Sequence, residues 1–177
     1  MKMCSPRYQD IAGTDVPELQ DDDGSIIRVV VGDWRGKIGP IDGIAAEPQY
    51  LDISMPANTR KTIPIDAYRN AFAYVFSGSA SFKNASKPVG IQLEKEINGE
   101  EIYMRDRSGN RTLVLFDTGD EIVVETREEA VRFLLISGKA LSEPVAWHGP
   151  IVMNSQAEIQ QALRELNDGS FIKESAR

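Results

Sequence analysis

Histidine and cysteine are almost missing from this chain: its 177 residues include one of each, His148 and Cys4. A single thiol cannot close an intrachain disulfide, so the core must hold the fold, and the composition suits a reducing compartment. A single imidazole cannot supply the histidine cluster on which most first-row metal sites of small barrels depend, because such a site needs three or four donors converging on one point. Basic excess is missing as well. The net charge of -7 opposes general nucleic-acid binding, since no basic stripe offsets phosphate repulsion. No apolar run is long enough to span a bilayer, and none follows Lys2 as a signal peptide would require. The expectation is a cytoplasmic protein that binds neither nucleic acid nor membrane.

What remains is an ordinary globular composition, 41% hydrophobic and 27% charged, with length for one sizeable core. Residues 1–24 are polar and irregular, with Pro6, Pro17 and the run Asp21-Asp22-Asp23, and read as an extended N-terminal arm. Residues 25–177 read as the domain. Its organising stretch is 71–82, AFAYVFSGSASF, where aromatic and β-branched residues flank Ser77-Gly78-Ser79. That pattern predicts two short strands meeting in a tight turn at the glycine.

Further strands are predicted at 26–31 (IIRVVV), 50–55, 59–65, 112–116 (TLVLF), 122–125 and 131–136 (VRFLLI). In the second of these, Leu51, Ile53 and Met55 alternate onto one face. Between 90 and 107 the Asn98-Gly99 pair signals a hairpin within a charged excursion. One helix is predicted at 155–167. Ser155 and Glu158 have capping-box spacing, Ile159, Ala162, Leu163 and Leu166 form an apolar stripe, and Gly169 suits the position after the last turn. The pattern is all-β: an antiparallel β-barrel or sandwich with a C-terminal α-helix covering part of it.

Small antiparallel barrels of this kind are often metal-binding cupins, so the cupin ligand positions are the natural test. With Gly78 as the final glycine of a pattern resembling G-x5-H-x-H-x3-4-E-x6-G, the acidic ligand falls on Ala71 and the histidines in 64–68, which holds none. A second pattern resembling P-x-G-x2-H, set on Asp117-Thr118-Gly119, puts its histidine on Ile122. The turn glycines are kept and the ligands are gone.

The segments P-R-Y-Q-D-I (6–11), Y-L-D-I (50–53), A-F-A-Y-V-F-S-G (71–78), L-F-D-T-G-D-E-I (115–122), F-L-L-I-S-G-K-A-L-S-E-P-V (133–145) and H-G-P-I-V-M-N-S (148–155) together resemble the C-terminal half of a pirin. The resemblance implies a cupin-type double-stranded β-helix. Pirins are two-barrel proteins whose iron ligands lie in the N-terminal barrel, so it carries no metal ligand onto this chain and implies no cofactor. The excursion at 82–111 is longer than the family pattern. Some pirins resemble quercetin-cleaving dioxygenases and others act as transcriptional co-regulators, roles associated with the metal-bearing barrel or the two-barrel whole.

Four residues are candidates for ligand binding. Trp147 and His148 precede the helix, where they would grip a ligand or sense pH, or else pack and hydrogen-bond in a connection. Tyr74 and Phe116, with Tyr50, Phe72 and Phe76, would line a cavity or simply fill the core. Asp117, Asp120 and Glu121 read as turn residues and Cys4 as an unreactive thiol. The resulting expectation is a non-catalytic, metal-free barrel acting in protein association or structural support, as a homodimer or with a separate N-terminal-type barrel. Two alternatives stay open: quercetinase-type dioxygenase activity with a metal-bearing partner barrel, and small-molecule binding inside the barrel.

Overall fold

The computed structural model describes residues 7–83, 89–90 and 107–172. Runs of β-branched and aromatic residues broken by turns give short strands paired throughout in antiparallel fashion: β1 Glu18–Gln20, β2 Ile26–Val31, β3 Asp33–Trp34, β4 Lys37–Ile38, β5 Gln49–Met55, β6 Arg60–Pro64 and β7 Arg69–Lys83. They continue as β8 Val89–Gly90, β9 Ser108–Gly109, β10 Thr112–Phe116, β11 Glu121–Glu125, β12 Val131–Lys139, β13 Ala146–His148 and β14 Ile151–Met153, and the chain then enters α1, Gln156–Asn167. The chain divides into two compact units, Tyr8–Ala140 and a second built from Met1–Arg7 with Leu141–Arg177. Among the described residues no helix is long and apolar enough to cross a membrane. The expected Asn98-Gly99 hairpin lies outside the described residues.

In the larger unit the main sheet runs β1-β2-β5-β12-β7-β10-β8, with β6, β9 and β11 added through β7 and β11. The expected turn at Gly78 is not there. Residues 69–83 form one long strand, and Gly78 is where that strand bends. Register shifts between Arg132 and Phe133 so that Phe76 has no partner of its own, the signature of a β-bulge. Before the bend β7 pairs with β12 and β10; beyond it Ser79–Lys83 pairs with β9 and β11. Gly78 sits at φ 67°, and a Cβ there would stand 1.8 Å from the Ala130 carbonyl oxygen. A glycine inside apolar runs thus marks a barrel corner and a close backbone approach, not the end of a strand.

The inward face alternates as a pleated strand requires. Leu51, Ile53 and Met55 of β5, Ala73 and Val75 of β7, and Phe133 and Leu135 of β12 are all essentially inaccessible. Phe133 meets Phe82 edge-on, with centroids 5.4 Å apart. The strand at 112–116 buries only Val114; its neighbours are half-covered.

The end of the expected arm is part of the sheet. Glu18–Gln20 pairs with β2, and the acidic run behind it turns onto the barrel through Asp21 and Asp23. In the smaller unit the β13–β14 hairpin lays Ala146, Ile151 and Met153 against Ile159 and Ala162 of the helix. Ser155 and Glu158 form the expected capping box, and Gly169 sits at φ 71°.

Candidate functional site

A cupin does its chemistry inside the barrel, so the interior comes first. The largest fully buried side chains are Phe133, Ile27, Leu51, Ile53, Met55, Ile63, Ile122 and others of the same chemistry, all hydrocarbon or thioether. Ile122, at the position aligned with a ligand histidine, is 1% exposed within this packing. Among the described residues no three His, Cys, Asp or Glu side chains come together. Hydrocarbon cannot donate a lone pair to a cation and the Met55 thioether is a single soft donor, so the described side chains inside this barrel do not fit a transition-metal site.

Among the described residues one charged side chain is buried on the inward face: Lys61 shares a face of β6 with the buried Ile63, two positions on. Its Nζ donates to Asp21 Oδ2 at 2.6 Å and to Asp23 Oδ2 at 2.7 Å, and Arg35 holds the other Asp21 oxygen at 2.8 Å. Burial pushes the Asp23 carboxyl up, but the Lys61 ammonium and the Ser25 N–H outweigh it and leave the group below its ordinary range. The two charges of each sign compensate each other. Its amine is engaged by two carboxylates, so the cluster offers no nucleophile.

The opposite face of the same sheet is also apolar. Leu134 lies between Tyr74 on β7 and Asp52 on β5, while Ile136 lies between Phe72 and Tyr50. Across β7, Leu113 stands opposite Tyr74 and Leu115 opposite Phe72. These residues alternate with the buried set and so point away from the interior. Tyr74 is 37% exposed and the others are half-buried. Charges sit at one margin, where Arg132 forms a bidentate pair with Asp52 at 2.9 and 2.5 Å and stacks over Phe76, 5.1 Å from its centroid. The Asp52 carboxylate raises the Arg132 pKa, so this cation stays charged.

At the end of the barrel away from Lys61, where β2, β6 and the start of β7 and β5 converge, lies an open cleft of about 600 Å³. Val31 and Ile65 are among its apolar lining residues, and the connection between β4 and β5 forms one wall. Glu47, on its rim, is held below the usual carboxylate range by the Lys139 ammonium 2.6 Å away.

The four candidate residues divide between the two units, and the pair in the larger unit lies on opposite faces. Tyr74 is on the outward face of its sheet and Phe116 on the inward face, against Phe82 at 5.9 Å. Trp147 and His148 belong to the hairpin of the smaller unit, where Trp147 is 73% exposed and donates its indole N–H to the Gly149 carbonyl. None of the four lines the cleft. Tyr50, Phe72 and Phe76 are half-buried and lie outside the core cluster, whose buried aromatics among the described residues are Trp34, Phe82 and Phe133. Sequence reasoning missed the Lys61 cluster, although a lysine sharing a strand face with Ile63 and an acidic run ahead of β2 were its visible signals.

This architecture, a curled antiparallel barrel with a helix after it, is that of a cupin. A quercetin 2,3-dioxygenase from Acinetobacter baumannii superposes with a TM-score of 0.71 over 96% of this chain and 52% of that one, at 24% identity. Residues 50–172 match the family model of the pirin C-terminal cupin domain, and the chain belongs to that family. A pirin-like protein of Caulobacter vibrioides is 30% identical over 97% of this chain and 54% of its own length. A Pseudomonas aeruginosa protein, provisionally named a quercetin 2,3-dioxygenase, is 32% identical over 95% of this chain and 54% of its own. The chain thus spans about half the length of these curated relatives.

Proposed function

We propose that this chain is a non-catalytic pirin C-terminal barrel that acts by association, packing the outward face of its main sheet against a second cupin barrel. The observation that carries this reading is the continuous apolar surface made by Tyr74, Phe72, Leu134, Ile136, Leu113 and Leu115, on the side of the sheet that the barrel's own core does not use. Contiguous apolar patches on soluble domains mark interaction sites more often than not. The favoured occupant is a second copy of the chain. Two such faces related by a two-fold axis would bring hydrocarbon against hydrocarbon, and Arg132 and Asp52 already neutralise each other at the margin. A separate barrel of the N-terminal pirin type is the other occupant of the same chemistry. In either assembly this half would supply support, and metal chemistry would belong to a partner.

The name of the Pseudomonas relative raises a dioxygenase reading. For this chain such activity would require metal donors from another barrel, because its own interior supplies none among the described residues. One purified sample tests both readings. Light scattering at micromolar concentration is expected to give a dimer, and elemental analysis with a quercetin-consumption assay is expected to give neither stoichiometric iron nor turnover. A monomer would remove the homodimer; iron near one equivalent with turnover would overturn the non-catalytic reading.

A further inference from the structure

The cleft at the barrel mouth is a built feature of the larger unit. Its outer wall, the connection between β4 and β5, is fixed to β2 by the Gly39 N–H bond to the Gly32 carbonyl at 2.8 Å and by a bridge between Val31 and Ile41. A Cβ at Gly39 would stand 2.6 Å from the Val30 carbonyl oxygen, so this wall lies directly on the strand. Ile38, Ile41 and Ile44 line it, and Ile65 faces them from beyond β6. Ile38 is 73% exposed and Ile44 is 44% exposed, two large apolar side chains held at an opening instead of being folded into the core.

The rim is mostly acidic. Asp33, Glu47 and Asp66 contribute carboxylates beside Asp42, which already has a partner of its own, and Arg69 is the cation among the lining residues. That guanidinium is already engaged: it donates to the Glu47 carbonyl oxygen and lies 3.6 Å from Asp66 Oδ2. Lys139 pairs with Glu47 from outside the cleft. Asp33 is the rim carboxylate that these cations leave over: its side chain accepts the Gly36 N–H and is paired with neither Arg69 nor Lys139. An apolar cleft of about 600 Å³ falls in the range that encloses small ligands, and barrel mouths are a common place for them.

We propose that this cleft binds a small organic cation, an apolar body carrying a protonated amine, with the isoleucines taking the body and the rim carboxylates taking the ammonium. Anionic ligands of the same size, including phenolates, meet repulsion at the same rim. The site is separate from the outward sheet face, and either can fail without the other.

The test uses the whole chain with 2-phenylethylamine, its neutral analogue 2-phenylethanol and its anionic analogue phenylacetate, followed by NMR titration at physiological salt. Saturable shifts confined to residues 31–49 and 64–69 are expected with the amine, with about ten-fold weaker binding of the alcohol and no saturable binding of the acid. Methylammonium, charge without a body, should also fail to saturate. Ile44→Arg, at an exposed position, should abolish amine binding with its thermal midpoint unchanged. Asp33→Asn should weaken binding with the fold intact. Equal binding of amine and acid, no saturation by the amine, or amine binding indifferent to Ile44→Arg would each overturn the proposal.

Discussion

The two faces of the β5–β12–β7–β10 sheet are both rich in hydrocarbon, and they do opposite things with it. Inward, Leu51, Ile53, Val75, Val114, Phe133 and Leu135 are closed off from water entirely. Outward, Phe72, Tyr74, Leu113, Leu115, Leu134 and Ile136 keep partial contact with it. A half-buried antiparallel sheet normally alternates apolar inside with polar outside. Here the alternation of burial is kept and the alternation of polarity is not. Among the described residues the interior is packed hydrocarbon apart from the Lys61 ion cluster. The outward face, which stability does not require to be apolar, is the surface that the proposed association would use.

The largest effect should come from the interior. Phe133 is fully buried, and Phe133→Ala should cost about 3–5 kcal/mol in urea unfolding. That is a large fraction of the ~5–15 kcal/mol that holds an average domain together. The folded fraction that remains should keep its assembly state, since Phe133 does not reach the outer face. A loss of assembly without a loss of stability would mean that the two faces have been assigned the wrong way round.

A smaller effect is expected at the ion cluster around the buried Lys61. The folded pKa of Asp23 lies below the value of 3.8 that it would have unfolded. Its contribution is therefore present above that value and lost as pH falls through the folded pKa. Asp23→Asn should flatten the acid limb of the stability curve below pH 4, leaving little change in its slope at neutral pH. An unchanged acid limb would show that the Lys61 contact does not favour the ionised carboxylate.

Much of this fold could be read from residues alone. Strands at 26–31 and 112–116 coincide with the observed elements, and the helix lies within one residue of its expected start, because periodicity and capping chemistry are local signals. The Gly78 bend was misread because a glycine in a β-run is compatible with either a turn or a bulge, and only the distant Ala130 carbonyl distinguishes them. The Asp21 and Asp23 contacts to Lys61 span 40 and 38 positions, beyond any local pattern. The placement of the candidate aromatics was illegible for a related reason. Tyr74 and Phe116 are each strand residues of ordinary kind, and which face each one occupies depends on the register of a strand that continues through the bend.

The smallest stability change should come from the outer face, and it separates the faces most sharply. Tyr74 stands between Leu134 and Leu113 and is 37% exposed, so Tyr74→Lys leaves the core contacts untouched. Surface substitutions of this type shift stability by about 0.5 kcal/mol or less in either direction. The lysine can extend its ammonium into water in a monomer, but in a sheet-on-sheet contact it would be buried without a partner. Sedimentation at micromolar concentration should therefore move from dimer to monomer while the urea midpoint hardly changes. If the variant stays dimeric, another surface holds the copies together. If it loses stability as deeply as Phe133→Ala, the outward face is structural core, and association no longer explains why it is apolar.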